Sequence, residues 1–129
     1  MNIVVVAAVI EQAGTFLVTR RQPGVHLAGM WEFPGGKIDP DESHPVALQR
    51  EIREELDAAI EVGELVHEAT YAYSDRTVEL YFYRCALLGN PRPLLGQELR
   101  WVARADLASL PFPPADAELI DLLEESDVP

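Results

Sequence analysis

Residues 35–58, GGKIDPDESHPVALQREIREELDA, are the stretch whose reading decides the fold. After Pro45 the segment runs to Leu56 without glycine or proline, and Leu48, Ile52 and Leu56 recur at four-residue spacing, the pattern of one buried helical stripe. Beside that stripe stand Glu51, Glu54 and Glu55, three and four residues apart on a neighbouring arc. Like charges so placed repel by about 0.2–0.5 kcal/mol per pair, so a helix that keeps them needs positive charge nearby. Arg50 and Arg53 are expected to project mostly to the opposite side. A divalent cation, which prefers hard oxygen ligands, then becomes the natural partner of the cluster.

A Glu-rich helical face on its own is ordinarily a solvated one. What precedes the helix changes that balance. Glu32-Phe33-Pro34-Gly35-Gly36-Lys37 reads as a strand end entering a paired-glycine turn, where backbone without Cβ atoms can approach a ligand and offer carbonyl or N–H groups. Lys37 adds a point charge suited to phosphate. Carboxylates, glycines and a cation this close together point to a phosphate-plus-metal site.

The rest of the chain sets the bounds. Its 129 residues are read as a single domain, 1–129, long enough for one core. A formal net charge of -12 argues against a nucleic-acid polymer or an anionic membrane as partner, since both call for clustered Lys and Arg, but it is compatible with a nucleotide that brings its own metal. Cys85 is the only cysteine, so no internal disulfide is possible and a reducing, cytoplasmic setting is expected. In the apolar run 80–88 it reads as a small core residue. The apolar opening 3–10 is too short for a membrane span and lacks the flanks of a leader, so it reads as a buried strand.

Residues 11–14 read as a turn and 15–20 as a second strand, forming a hairpin with the first. Residues 22–29, with a proline, two glycines and His26, read as a loop into a strand at 30–33. Strands are expected at 60–68, 70–74 and 77–88. In the last, Val78, Leu80, Phe82 and Arg84 alternate with Glu79, Tyr81, Tyr83 and Cys85, as suits a sheet covered on both faces. Residues 89–96 read as a loop, 98–103 as a strand, 106–110 as a short helical turn and 115–125 as a closing helix. This order implies an α/β fold with a mixed sheet between helical layers. Trp31 and Trp101 read as core or rim aromatics, and His44 and His67 find no partner at metal-ligand spacing.

Gly36, five residues, Glu42, seven residues, then Arg50-Glu51-Ile52-Arg53-Glu54-Glu55-Leu56 resembles the signature of the Nudix hydrolases. The residues around it, Glu32 to Lys37, Asp75-Arg76 and Phe112-Pro113-Pro114-Ala115-Asp116, resemble the MutT-like members, so that nearly the whole chain is covered. One position departs from the pattern: Asp57 stands where the family has a glycine that ends the helix in the left-handed region, which Asp tolerates better than most residues.

The resemblance implies a Nudix α/β/α sandwich and an enzyme. In its reaction, water attacks the β-phosphorus of a nucleoside triphosphate and releases a nucleoside monophosphate and pyrophosphate. By position, Glu51, Glu54 and Glu55 would hold Mg²⁺ or Mn²⁺ with the carbonyl of Gly35, while Gly36, Glu42 and Arg50 would support the helix. The general base would be Glu51 or, if the loop before Trp101 is shortened by a deletion, Glu98; without gaps that loop position falls on Leu95. Arg21, His26, Phe33, Lys37, Tyr73, Arg76 and Asp116 are the implied substrate contacts.

Asp116 follows two prolines at a helix start, where it also suits an N-cap. Relatives that favour 8-oxoguanine have asparagine there, and an ionised aspartate only accepts hydrogen bonds. Two substrates therefore stand close: 8-oxo-dGTP, in a nucleotide-pool sanitising role linked to DNA repair, and CTP or dCTP, including 5-substituted forms. A nucleotide-sensing module without hydrolysis would be expected to have lost the metal carboxylates, which are all present. The implied partner is the nucleotide alone, with the chain a monomer or weak homodimer.

Overall fold

The computed structural model describes residues 2–125. Eight strands are present: β1 Asn2–Val9, β2 Glu11–Gln12, β3 Thr15–Arg20, β4 Trp31–Glu32, β5 Gly35–Lys37, β6 Ala59–Ala72, β7 Thr77–Leu88 and β8 Leu99–Ala103. Two α-helices join them, α1 His44–Leu56 and α2 Ala117–Glu125, with 3₁₀ turns at Arg104–Ser109 and Pro114–Asp116.

The expected mixed sheet is present, in the order β5-β1-β7-β6, with β1 parallel to β7 and the other pairs antiparallel. Strand β1 is buried on both faces because its alternation is apolar on both. Val6, Ala8 and Ile10 pack with Ala47, Leu48, Ile52 and Leu56 of α1, while Ala7 and Val9 face the core shared with Phe82, Leu119 and Leu123. Strand β7 divides as its sequence alternates, Phe82 going to one core and Cys85 to the other.

Several expectations are corrected. Strand β1 does not form a hairpin with β3. The chain changes sheets at Ile10, and the hairpin consists of β2 with the start of β3 in a second sheet where β3 also pairs β4 and β8. The glycine pair is not a turn but lies in β5, opposite Val6 and Ala7. Residues 59–72 form one strand rather than two, its register against β7 shifting between Val62 and Leu65 and again before His67. Among the described residues no helix is long and apolar enough to cross a membrane.

Candidate active site

Helix α1 is the platform. Ser43 caps it by accepting from the Val46 N–H at 3.3 Å, Pro45 fits the first turn, and the buried stripe of Leu48, Ile52 and Leu56 fixes its rotation about its axis. Asp57 ends it in the left-handed region, at φ 52°, with its N–H on the Arg53 carbonyl and its carboxylate paired with Arg92. Loop 91–97 then closes the end: Arg92 N–H donates to the Leu56 carbonyl, and Leu94 N–H and the Gln97 side chain both donate to the Glu55 carbonyl. The buried Gln97, which no sequence motif marks, thus links this loop to the base of Glu55.

That rotation turns Glu51 and Glu55 toward β5. The space a side chain on Gly36 would fill is taken by the Glu51 carboxylate, 2.4 Å from an ideal Cβ, and at Gly35 a Cβ would meet the Val6 carbonyl oxygen at 2.0 Å. Close approach of the Val6 backbone therefore requires glycine at 35, while a side chain at 36 would have to displace the Glu51 carboxylate. Burial raises Glu51 above the ordinary carboxylate range, against the opposing pull of Arg50. Glu55 is pushed up to about 8, first by burial, then by Glu32 and Glu51, with the Gly35 N–H and Arg21 offsetting part of it.

Arg50 does not project away from the cluster as its helical position suggested. Its guanidinium donates to both oxygens of Glu42 at 2.8 Å, to Glu51 and Glu54 at 3.0 Å, and to the Lys37 carbonyl at 3.1 Å. The long side chain reaches back over its own helix face, as Arg commonly does where several carboxylates converge. Glu42 in turn accepts from the Asp39 N–H and is held down at about 2, chiefly by Arg50.

One cavity of about 270 Å³ opens beside this platform, and ten of the residues singled out from the sequence line it. Gly35, Gly36, Lys37 and Glu55 form its acidic end. Arg21, His26, Phe33, Tyr73, Arg76 and Asp116 line it as well. The His26 ring meets Tyr73 edge-on at 4.8 Å, and its Nε2 is buried without a hydrogen-bond partner among the described residues. Phe33 is a wall rather than a free stacking surface, since Phe82 and Phe112 already pack on its ring.

Asp116 directly precedes α2, and among the described residues its side chain accepts no capping hydrogen bond. It lies in the 3₁₀ turn, 4% exposed, and its carboxyl is pushed up to about 7 by burial and by Glu32, with Arg21 opposing. Arg21 is engaged already, donating to Glu32 at 2.8 Å and to the His26 carbonyl at 2.6 Å. Glu51, Glu54 and Glu98 are not among the residues lining the cavity. Glu51 lies against Gly36 and Arg50, Glu54, 59% exposed, is held by Arg50, and Glu98 is paired on the surface with Arg20 and Arg100. Glu32, which the sequence reading left without a role, lines the cavity.

A divalent cation suits this acidic end on the chemistry of its donors. Glu55 is buried beside two further carboxylates, and the resulting excess of negative charge is what a cation would relieve. Among the described residues no three acidic, His or Cys side chains already stand as a formed ligand set, because Arg50 holds Glu51 and Glu54.

The model of the NUDIX domain matches residues 5–122. The chain belongs to the Nudix family. The CTP pyrophosphohydrolase of Escherichia coli (strain K12) is 38% identical over 118 residues, covering 91% of this Nudix chain and 87% of that protein. The 8-oxo-dGTP diphosphatase of Haemophilus influenzae is 36% identical over 114 residues, covering 88% and 84%. The solution structure of the E. coli ORF135 protein superposes with a TM-score of 0.85 at 36% identity, covering 99% of this chain and 94% of that one. The mixed sheet and its helices are thus the Nudix fold.

Proposed function

We propose that this Nudix hydrolase is a nucleoside-triphosphate pyrophosphohydrolase that uses Mg²⁺ or Mn²⁺ and acts first on 8-oxo-dGTP. The observation that supports the reading is a cavity whose lining holds Glu55 of α1, the Gly35-Gly36 strand and Lys37 together with the buried Asp116, so that groups suited to a metal-bound phosphate and a group suited to a base edge share one cavity. Glu51, Glu54, Glu55 and the Gly35 carbonyl would hold the cation, Glu54 after release from Arg50. When bound, it supplies charge neutralisation for the triphosphate and acidifies water.

Glu51 takes the proton of the attacking water while Arg50 holds its carboxylate in place. A bond forms from the water oxygen to the β-phosphorus, and the bond from that phosphorus to the α–β bridging oxygen breaks. Nucleoside monophosphate leaves, followed by pyrophosphate. Lys37 and Arg76, both lining the cavity, offer their charge to the phosphates. Glu98, paired on the surface with Arg20 and Arg100 and outside the cavity lining, is the less favoured candidate.

Asp116, also in the lining, is poised between its two protonation states near neutral pH. Its neutral form both donates and accepts, as the amide of asparagine does, and so complements O6 and N7–H of 8-oxoguanine. The same pair of groups complements N3 and the exocyclic amine of cytosine. The aspartate here and the likeness to an enzyme named CTP pyrophosphohydrolase favour CTP or dCTP as the second reading. Such an enzyme would serve the cytoplasmic nucleotide pool as a monomer or weak homodimer.

Pyrophosphate release from 8-oxo-dGTP, dGTP, CTP, dCTP and 5-methyl-dCTP, compared by kcat/KM with and without Mg²⁺, tests the reading. Metal-dependent turnover with 8-oxo-dGTP leading supports it. CTP leading transfers it to the second substrate, and no turnover of any of them rejects it.

A further inference from the structure

The carbonyls of a helix's last turn have no partners within the helix, and those of Glu55 and Leu56 are met from outside it. Arg92 N–H donates to the Leu56 carbonyl at 2.7 Å, while the Glu55 carbonyl accepts from Leu94 N–H at 3.0 Å and from Gln97 Nε2 at 3.2 Å. Two donors occupy both lone pairs of that oxygen and so set the plane of the peptide group that follows Glu55. Of these three bonds, the one from Gln97 is made by a side chain. The other half of its amide is fixed too, since Oε1 accepts from Leu95 N–H at 2.9 Å and the residue is 8% exposed.

The segment that carries Gln97 is anchored on its far side to the second sheet. Gln22 Nε2 donates to the Leu95 carbonyl at 2.7 Å, and Arg20 N–H donates to the Glu98 carbonyl at 3.0 Å, continuing the pairing of β3 with β8. Gln97 therefore ties the end of α1 to β3, the strand that leads into Arg21. Glu55 lines the cavity and Gln97 does not, so an effect of Gln97 on the site passes through the helix end. Resting on the function proposed above, we infer that Gln97 is a positioning residue for the metal: by holding the Glu55 carbonyl against the second sheet, it sets where the Glu55 carboxylate meets the cation.

The experiment follows Mn²⁺ binding to the nucleotide-free proteins by electron paramagnetic resonance, below the start of each protein's urea unfolding transition, with Mg²⁺-dependent pyrophosphate release measured alongside. It compares the parent with Gln97→Met, Gln97→Leu and Gln22→Ala. Methionine keeps the length of the side chain without either hydrogen bond, and leucine is a second apolar replacement should methionine fail to fold. Gln22→Ala removes the loop's tie to the second sheet without touching the helix end. The Gln97 variants are expected to bind Mn²⁺ about ten-fold more weakly, the scale for losing a group that orients a metal ligand. They should also need about ten-fold more Mg²⁺ for half-maximal turnover, with the nucleotide KM at saturating Mg²⁺ unchanged. Gln22→Ala is expected to lower the urea midpoint and leave Mn²⁺ affinity as in the parent.

Parent-like Mn²⁺ affinity in a folded Gln97 variant overturns the inference and leaves the proposed function standing. So does an equal loss of affinity in Gln22→Ala, which would make the effect one of loop packing. A rise in nucleotide KM as large as the change in Mg²⁺ requirement also overturns it, since the whole cavity would then have loosened. Failure of the parent to hydrolyse any nucleoside triphosphate removes the proposed function itself, and this inference with it.

Discussion

The carboxylate of Glu51 occupies the volume where Gly36 would carry a side chain, with both Cδ and Oε2 2.4 Å from an ideal Cβ. A strand backbone on one side and a helix on the other thus leave a slot wide enough for one carboxylate. Any substituent at residue 36 must move that carboxylate, and it is the flexible end of a side chain that moves.

Gly36→Ala is therefore expected to retain most of its stability and to lose about a hundred-fold in kcat, the scale associated with displacing a reacting group by an ångström. Gly35→Ala should behave in the opposite way. There the obstacle is the Val6 backbone, and overpacking against it should cost about 2–3 kcal/mol of folding free energy. Urea unfolding alongside turnover separates the two; equal effects on both readouts for the two variants would contradict this account.

Asp57 holds a left-handed conformation that glycine adopts at no steric cost. Replacing it relieves about 1 kcal/mol of backbone strain and removes an exposed ion pair with Arg92 worth about 0.5 kcal/mol or less. Asp57→Gly should raise the urea midpoint slightly, by a net of about 0.5 kcal/mol. A lowered midpoint would mean that the Arg92 contact outweighs the strain.

Glu42 is held at about 2 by Arg50 and the Asp39 N–H, below the ordinary carboxylate value of 4.5. A depressed folded-state value contributes stability that is present above the unfolded value and is lost as pH falls through the folded one. Stability of the parent should accordingly decline between about pH 4.5 and 2 more steeply than that of Glu42→Gln. Parallel pH profiles in thermal unfolding would remove this role.

Asp116 has the opposite sign. Its carboxyl is raised from 3.8 to about 7, so folding favours the protonated form and stability falls as pH rises between those values. Asp116→Asn should match the parent at pH 4 and exceed it by up to about 4 kcal/mol above pH 7. Its preference for 8-oxo-dGTP over CTP should also lose the pH dependence shown by the parent.

Helix α1 was legible because Leu48, Ile52 and Leu56 must share one face, and burying them fixes where Glu51 and Glu55 point. The two-faced β7 was legible for the same reason. The role of Gly35-Gly36 was half visible: close backbone approach was expected, but the partner is β1, some thirty residues earlier, and a short glycine strand has no propensity that names its partner. Arg50 was misjudged because the angular position of a Cα says little about a guanidinium at the end of a long flexible stem. Glu32 stood in the Glu32 to Lys37 motif without a role of its own, and Gln97 stood in none. Their importance comes from tertiary neighbours, Arg21 in one case and the end of α1 in the other, which appear only when the sheets are assembled.

The central claim is that the acidic edge of α1 grips a divalent ion on behalf of a triphosphate, and Glu55 is its most deeply placed carboxylate. Pyrophosphate release from 8-oxo-dGTP and CTP at saturating Mg²⁺, measured together with Mn²⁺ affinity for the parent and Glu55→Gln, tests it most directly. The expected result is metal-dependent release by the parent, with at least about a hundred-fold loss of turnover and weaker Mn²⁺ binding in the variant. Equal Mn²⁺ affinity and equal pyrophosphate release by the two proteins would contradict the claim.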